Sequence, residues 1–322
     1  MVEIIKSFPL LVNKKGEDLI WNLLQFLIKK KSTYKTIIIS GDPRGGTTWL
    51  SDIVSEINNS SLIWEPLMLG YNNEFKRIDF DYRQYIPENK NWEEAKLLFR
   101  KTFEGKSLSS NLCNRNTFNE LIKADRIIVK FCRANQLLPW LRKNFQFEYD
   151  PIYIVRHPCA VVASQLRQGG WDRISPDFKI PDCKFQEFYS THSKFLQNIN
   201  SKEKRLAAYW CLVNRIPLSH PKNNKDWITI TYEDLLLDGE NQLSRIEKRW
   251  NLKLPASSYE KLNKVSTTTL KSSPINELEK TDQLNQWKNY LSEKQIQDIL
   301  SVLKYFNINV YDYDSMPKVR FL

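Results

Sequence analysis

Short apolar runs alternate along this chain with segments whose apolar residues recur at helical spacing. Residues 36–40, 61–64, 126–131, 151–155 and 227–231 read as strands, being largely aliphatic and too brief for helices. Between them the 3.6-residue period predicts helices over 17–31, 46–58, 135–144, 158–168, 203–219 and 240–250, with further helical stretches at 91–103, 116–123, 184–197, 257–262 and 292–303. Strands that are apolar throughout, rather than at every second position, are buried on both faces, and intervening helices supply the cover. The pattern predicts an α/β fold in which a central parallel β-sheet carries helices on both faces, a three-layer sandwich. Such sheets bind ligands at the carboxyl ends of their strands, so the residues after each strand are the candidates for function.

Those residues form a coherent set. The first strand runs into Ser40-Gly41-Asp42-Pro43-Arg44-Gly45-Gly46-Thr47-Thr48-Trp49-Leu50. Trp64-Glu65-Pro66 follows the second, Lys130 stands at the end of the third, Arg156-His157-Pro158 follows the fourth, and Tyr232-Glu233-Asp234 follows the last. A strand feeding a glycine-rich turn that opens a helix makes an anion cradle, because backbone N–H groups and the positive helix end converge on it. The spacing Gly41-x-x-x-x-Gly46-Thr47-Thr48 nearly matches a nucleotide P-loop, but Thr47 stands where that loop has its lysine, and the cation is Arg44 inside the turn. The exchange points to a P-loop-NTPase-like fold holding an anionic nucleotide other than ATP.

At 322 residues the chain is long enough for one large α/β domain spanning 1–322. Its formal charge of +11 is spread without long Lys/Arg runs, which argues for solubility and against a nucleic-acid partner. The five cysteines are widely spaced and lack any C-x-x-C pair, so neither metal ligation nor a disulfide framework is expected and a cytoplasmic location fits. The most apolar stretch near the start, Leu19 to Ile28, falls far short of the roughly twenty residues of a membrane span. It reads as part of a helix packed on the sheet edge. A homo-oligomer is compatible with this composition.

With these residues in hand, the chain resembles the sulfotransferases that use 3′-phosphoadenosine-5′-phosphosulfate (PAPS). That family pairs a loop Pro-[Lys/Arg]-Ser-Gly-Thr-Thr-Trp with a later Arg-x-Pro-x-x-x-x-x-Ser; here they are Pro43 to Trp49 and Arg156 to Ser164. Tyr232-Glu233-Asp234-Leu235-Leu236 and Trp287-Lys288-Asn289-Tyr290-Leu291 are further echoes, so the likeness runs over roughly 36–305. The resemblance implies that Arg44 and the loop of Gly45, Gly46, Thr47 and Thr48 hold the 5′-phosphosulfate, with 36–60 as that loop and helix. It also implies that Trp49 faces the adenine and that Arg156 and Ser164, within 151–168, grip the 3′-phosphate. Lys130 corresponds to the lysine that neutralises the leaving oxygen.

Two departures refine the picture. The family's loop serine is Gly45 here, and the histidine that phenol- and steroid-sulfating members place two residues after the lysine is Cys132. Cysteine is a poor stand-in for an imidazole base at neutral pH. Glu65, in a Trp64-Glu65-Pro66 string resembling the carbohydrate-type members, is therefore the expected base, with a saccharide or small molecule as acceptor, PAP as product and no metal. Segment 70–125 is the expected acceptor cap. Its aromatics Tyr71, Phe75, Phe80, Tyr82, Tyr85 and Trp92 fit either stacking on an acceptor ring or a small core of their own. The loop Gln168-Gly169-Gly170-Trp171-Asp172 is expected to border the acceptor. Two rival readings stay open at this point: a P-loop kinase-like phosphotransferase, and a non-catalytic nucleotide- or polysaccharide-binding protein.

Overall fold

A computed structural model describes residues 21, 28–168, 171–264 and 278–321. Most of the predicted helix 17–31 and the pair Gly169–Gly170 lie outside the described residues. Five strands, β1 (Ile37–Gly41), β2 (Ser60–Trp64), β3 (Arg126–Phe131), β4 (Ile152–Val155) and β5 (Ile228–Thr231), form one parallel sheet in the order β2-β3-β1-β4-β5. Alternate side chains of each strand enter different layers, as the pleat requires. Ile37, Ile39, Ile128, Ile152, Ile154, Ile228 and Ile230 pack with Leu50, Ile53 and Val54 of helix α1 (Thr47–Val54) on one face. Ile38, Val129 and Phe131 enter a second core with Phe99, Phe103 and Trp140, while Tyr153 and Val155 enter a third with Leu206, Trp210 and Leu212. These supply the other face. Both faces are covered, as continuous apolar strands demand.

Segment 70–125 packs on the sheet. Phe75, Phe80 and Trp92 are buried, and their rings meet one another and Phe99 edge-on or stacked at 5.0–6.0 Å. Of the two arrangements open to those aromatics, these three form a core, whereas Tyr71 and Tyr82 stay exposed. Three helical expectations differ from the structure. The stretch 184–197 is two short pieces, Glu187–Ser190 and Ser193–Gln197; Phe185, at a left-handed φ of 64°, delays the first, and Tyr189 and Leu196 anchor one piece each in the third core. Helix α1 stops at Val54, short of 58, where the chain turns toward β2 through Asn59 at φ 56°. A helix not predicted at all covers Lys280–Tyr290.

Register connects the fold to chemistry. Trp64 pairs with Lys130 across β2 and β3, so the residue after Trp64 must emerge beside the lysine. Beneath the β1 turn a buried polar chain ties three elements together. Asn214, on the helix Lys202–Ser219, donates to Asp42 Oδ2 at 2.9 Å and accepts from Asn135 at 2.8 Å and from the Tyr153 hydroxyl at 2.7 Å. Asn214→Ala strips partners from three buried groups at once. We expect urea unfolding to show a loss of about 1–3 kcal/mol, with the thermal transition lowered accordingly.

Candidate active site

Beyond Gly41 the chain makes a tight turn in which the Gly45 N–H donates to Asp42 O at 2.8 Å. Arg44 and Gly46 take left-handed φ values of 70° and 97°. A Cβ at position 46 would lie 2.6 Å from the Tyr232 ring, so the position requires glycine on both counts. At position 45 a Cβ would lie 2.9 Å from Asp42 O, which explains why the loop carries no serine there. The Arg44 guanidinium reaches the helix Pro158–Arg167 and the residue after it, donating from Nε to Ser164 Oγ at 2.9 Å and from Nη2 to Gln168 Oε1 at 2.8 Å. Burial, and next the neighbouring Arg156, lower its pKa, yet a guanidinium remains cationic.

Glu65 sits directly after β2 in the left-handed region, φ 51°, a conformation that costs a non-glycine residue energy and recurs at functional sites. Its N–H donates to Lys130 O at 2.9 Å, extending the β2–β3 pairing by one step. Its carboxylate is shared: Oε1 accepts from Lys130 Nζ at 2.5 Å, and Oε2 accepts from the Cys132 N–H at 3.0 Å and faces Arg133 Nη1 at 3.5 Å. Burial alone would raise the Glu65 carboxyl, but Lys130, Arg133 and the two hydrogen bonds hold it below the usual carboxylate range. Burial works equally against the Lys130 ammonium and is outweighed by Cys132 and Glu65, so both partners stay charged. The ammonium also lies 3.9 Å from the centre of the Trp64 ring. Cys132, at the position of the missing histidine, contacts Thr47 Oγ1 at 3.1 Å, and burial pushes its thiol up to about 11, which removes it as a base at neutral pH.

The β4 and β5 ends are joined side by side. Arg156 donates from Nη1 to Arg44 O at 3.2 Å and lays its guanidinium over Tyr232, 4.1 Å from the ring centre. Tyr232 in turn packs on Trp49 at 5.7 Å, and the Trp49 indole N–H donates to Lys261 O at 3.1 Å. One residue further along each loop, the His157 N–H donates to Glu233 Oε1 at 2.9 Å, and Glu233 Oε2 accepts from the Tyr311 hydroxyl at 2.9 Å.

These strand ends surround a cavity of about 560 Å³. Nine of the ten residues expected at the site line it; Gly45 alone stands behind the turn. The wall also holds residues to which sequence reasoning gave no role, notably Arg133, Arg167, Tyr232 and Trp287. For Tyr232 the signal was its place directly after a strand; Arg133 lies two residues beyond one and carried none. Seven lining side chains are cationic (Arg44, Lys130, Arg133, Arg156, Arg167, Lys264, Lys280) and two are acidic (Glu65, Glu279), which suits a polyanion. No cluster of metal-ligating residues occurs among the described residues, nor does any helix there long and apolar enough to cross a membrane.

A glycine turn at the carboxyl ends of a parallel sheet, beside an ion-paired carboxylate, is the layout of a P-loop-like α/β fold. The sulfotransferase domain family matches residues 34–309, and the chain belongs to that family. Similar solved structures include the sulfotransferase domain of the Synechococcus PCC 7002 olefin synthase (14% identity, 89% of this chain and 97% of that one, TM-score 0.47). Others are the sulfotransferase domain from the curacin biosynthetic pathway (18%, 84% and 97%, 0.45) and mouse sulfotransferase SULT7A1 complexed with PAP (14%, 90% and 88%, 0.42). Comparison with curated proteins finds no match.

Glu233 supplies a test by titration. It is 1% exposed, and burial raises its carboxyl to about 7 from an ordinary 4.5. The folded protein therefore keeps this proton up to about pH 7 while the unfolded chain releases it near 4.5. Between those values the folded state binds more protons, so this group's contribution to stability falls as pH rises. Glu233→Gln, which cannot ionise, is expected to shift the melting temperature more favourably at about pH 8 than at about pH 5. Equal shifts across a pH series of thermal scans would contradict the assignment.

Proposed function

We propose that this protein moves a sulfuryl group from PAPS to an acceptor hydroxyl and releases PAP. The observation that carries the reading is the meeting, around one cavity, of the Arg44 turn, Arg156, Lys130 and Glu65. Family membership supplies the reaction type; these residues supply the roles. Arg44 and the N–H groups at the start of α1 hold the 5′-phosphosulfate, as charge-assisted bonds and a helix N-terminus do. Arg156 and Ser164 hold the 3′-phosphate, which distinguishes PAPS from ATP. Trp49, on the same cavity wall, faces the adenine.

In the reaction the acceptor oxygen attacks sulfur in line. Its proton passes to Glu65, the new O–S bond forms, and the bond from sulfur to the 5′-phosphate oxygen breaks, leaving its electron pair on that oxygen. Lys130 and Arg44 balance the charge that appears there, the dominant contribution when a group passes through a loose transition state. Glu65 is ionised at neutral pH, so it enters the cycle ready to accept. Its two cations make it a weak base, which fits a reaction whose proton leaves late. Tyr71 and Trp171, aromatic residues lining the same cavity, support a ring-bearing acceptor, a saccharide or small molecule.

Two measurements test the reading. Calorimetry should show PAP bound in preference to ATP, with the preference lost in Arg156→Ala. Glu65→Gln should bind PAP as the wild type does while kcat falls by about 10²–10⁴; undiminished turnover in that variant would remove Glu65 as the base.

A further inference from the structure

Behind the cavity wall, His157 is the junction of four segments, and the sulfuryl transfer uses none of its chemistry. It is 1% exposed. Its Nδ1 faces the Cys159 N–H at 3.2 Å, and because an amide can only donate, Nδ1 must be the accepting nitrogen. The proton is therefore on Nε2, which donates to Asp312 O at 2.9 Å. The ring lies nearly parallel to Trp287, 4.7 Å between centres and 13° between planes, and Trp287 belongs to the helix Lys280–Tyr290 that walls the cavity. Burial lowers the imidazole to about 4, in keeping with a neutral ring.

The connections are paired. Arg156 rests on Tyr232 through its side chain, and the next residue, His157, is bound to the next residue, Glu233, through its amide. Glu233 holds Tyr311 and His157 holds Asp312, so two consecutive C-terminal residues are tied to the two strand-end loops. Arg156 Nε, meanwhile, is a buried donor without a hydrogen-bond partner among the described residues. With Nε unused, the guanidinium is aimed by its bond to Arg44 O and by the Tyr232 ring beneath it.

We propose that His157 is a positioning residue for the 3′-phosphate of the donor. Together with Glu233, Tyr311 and Asp312 it sets Arg156 and the helix Lys280–Tyr290 as two facing walls of that subsite. The inference rests on the assignment of Arg156 to the 3′-phosphate, and its test separates the two.

The experiment compares dissociation constants for PAP and 5′-AMP, which lacks only the 3′-phosphate, measured by calorimetry on the full chain. His157→Asn keeps an oxygen near Nδ1, and so the cap on the helix Pro158–Arg167, but loses the donor to Asp312. His157→Gln carries an amide N–H to the Nε2 position. Tyr311→Phe removes one hydroxyl away from the cavity and serves if the histidine variants fold poorly. In His157→Asn, PAP affinity should fall by about tenfold or more while 5′-AMP affinity stays within about twofold. His157→Gln should recover most of the loss, and Tyr311→Phe should lower the PAP preference several-fold. An unchanged PAP to 5′-AMP ratio in His157→Asn and Tyr311→Phe, or an equal loss for both nucleotides, overturns the positioning role. Wild-type protein that binds 5′-AMP as tightly as PAP overturns the donor reading itself.

Discussion

The Tyr232 ring occupies the space that a side chain at position 46 would need, and much of the site depends on that exclusion. Because position 46 is bare, the β1 turn can close against the end of β5, two strands away in the sheet. The same ring also carries the Arg156 guanidinium and meets the Trp49 ring. Three strand ends are thereby joined through one aromatic side chain. A phenol ring is well suited to this, offering a broad apolar body and a face attractive to cations.

On the other side of β1, the organising element is charge. A carboxylate removed from water is costly unless its partners replace the lost hydration. Glu65 meets that demand with an ammonium, a guanidinium and a backbone N–H, all from the β3 end. The pairing also holds the Lys130 ammonium on the Trp64 ring, at the cavity edge. Left-handed backbone at both Arg44 and Glu65 indicates that the surrounding packing, rather than local preference, decides where these two side chains emerge.

Most of this was legible in the chain because parallel strands buried on both faces leave an unmistakable aliphatic signature and direct attention to the residues just beyond them. Lys130, Arg156 and Tyr232 were found that way. The helix Lys280–Tyr290 was not, since only Leu284 and Trp287 on it are buried and two apolar positions make no period. Arg133 was invisible for a different reason: its place beside Glu65 depends on the turn after β3, not on any spacing in the sequence. The six aromatics of 70–125 could not be divided by pattern alone, because a ring that builds a core and a ring that faces a cavity have the same composition. For His157 the sequence shows only a place after β4; the return of the C-terminal residues onto it shows why the position is an imidazole.

The crowding at Gly45 ties the loop to the interior beneath it. In the related motif this position is serine, whereas here Asp42 O stands 2.9 Å from where a Cβ would be. Asp42 is in turn fixed by Asn214, and Asn214 by Asn135 and Tyr153. A serine at position 45 would therefore press on a network drawn from β4 and two helical segments. The freedom of position 45 to vary is thus set beneath the turn, by the polar interior that fixes Asp42, and not by the loop alone.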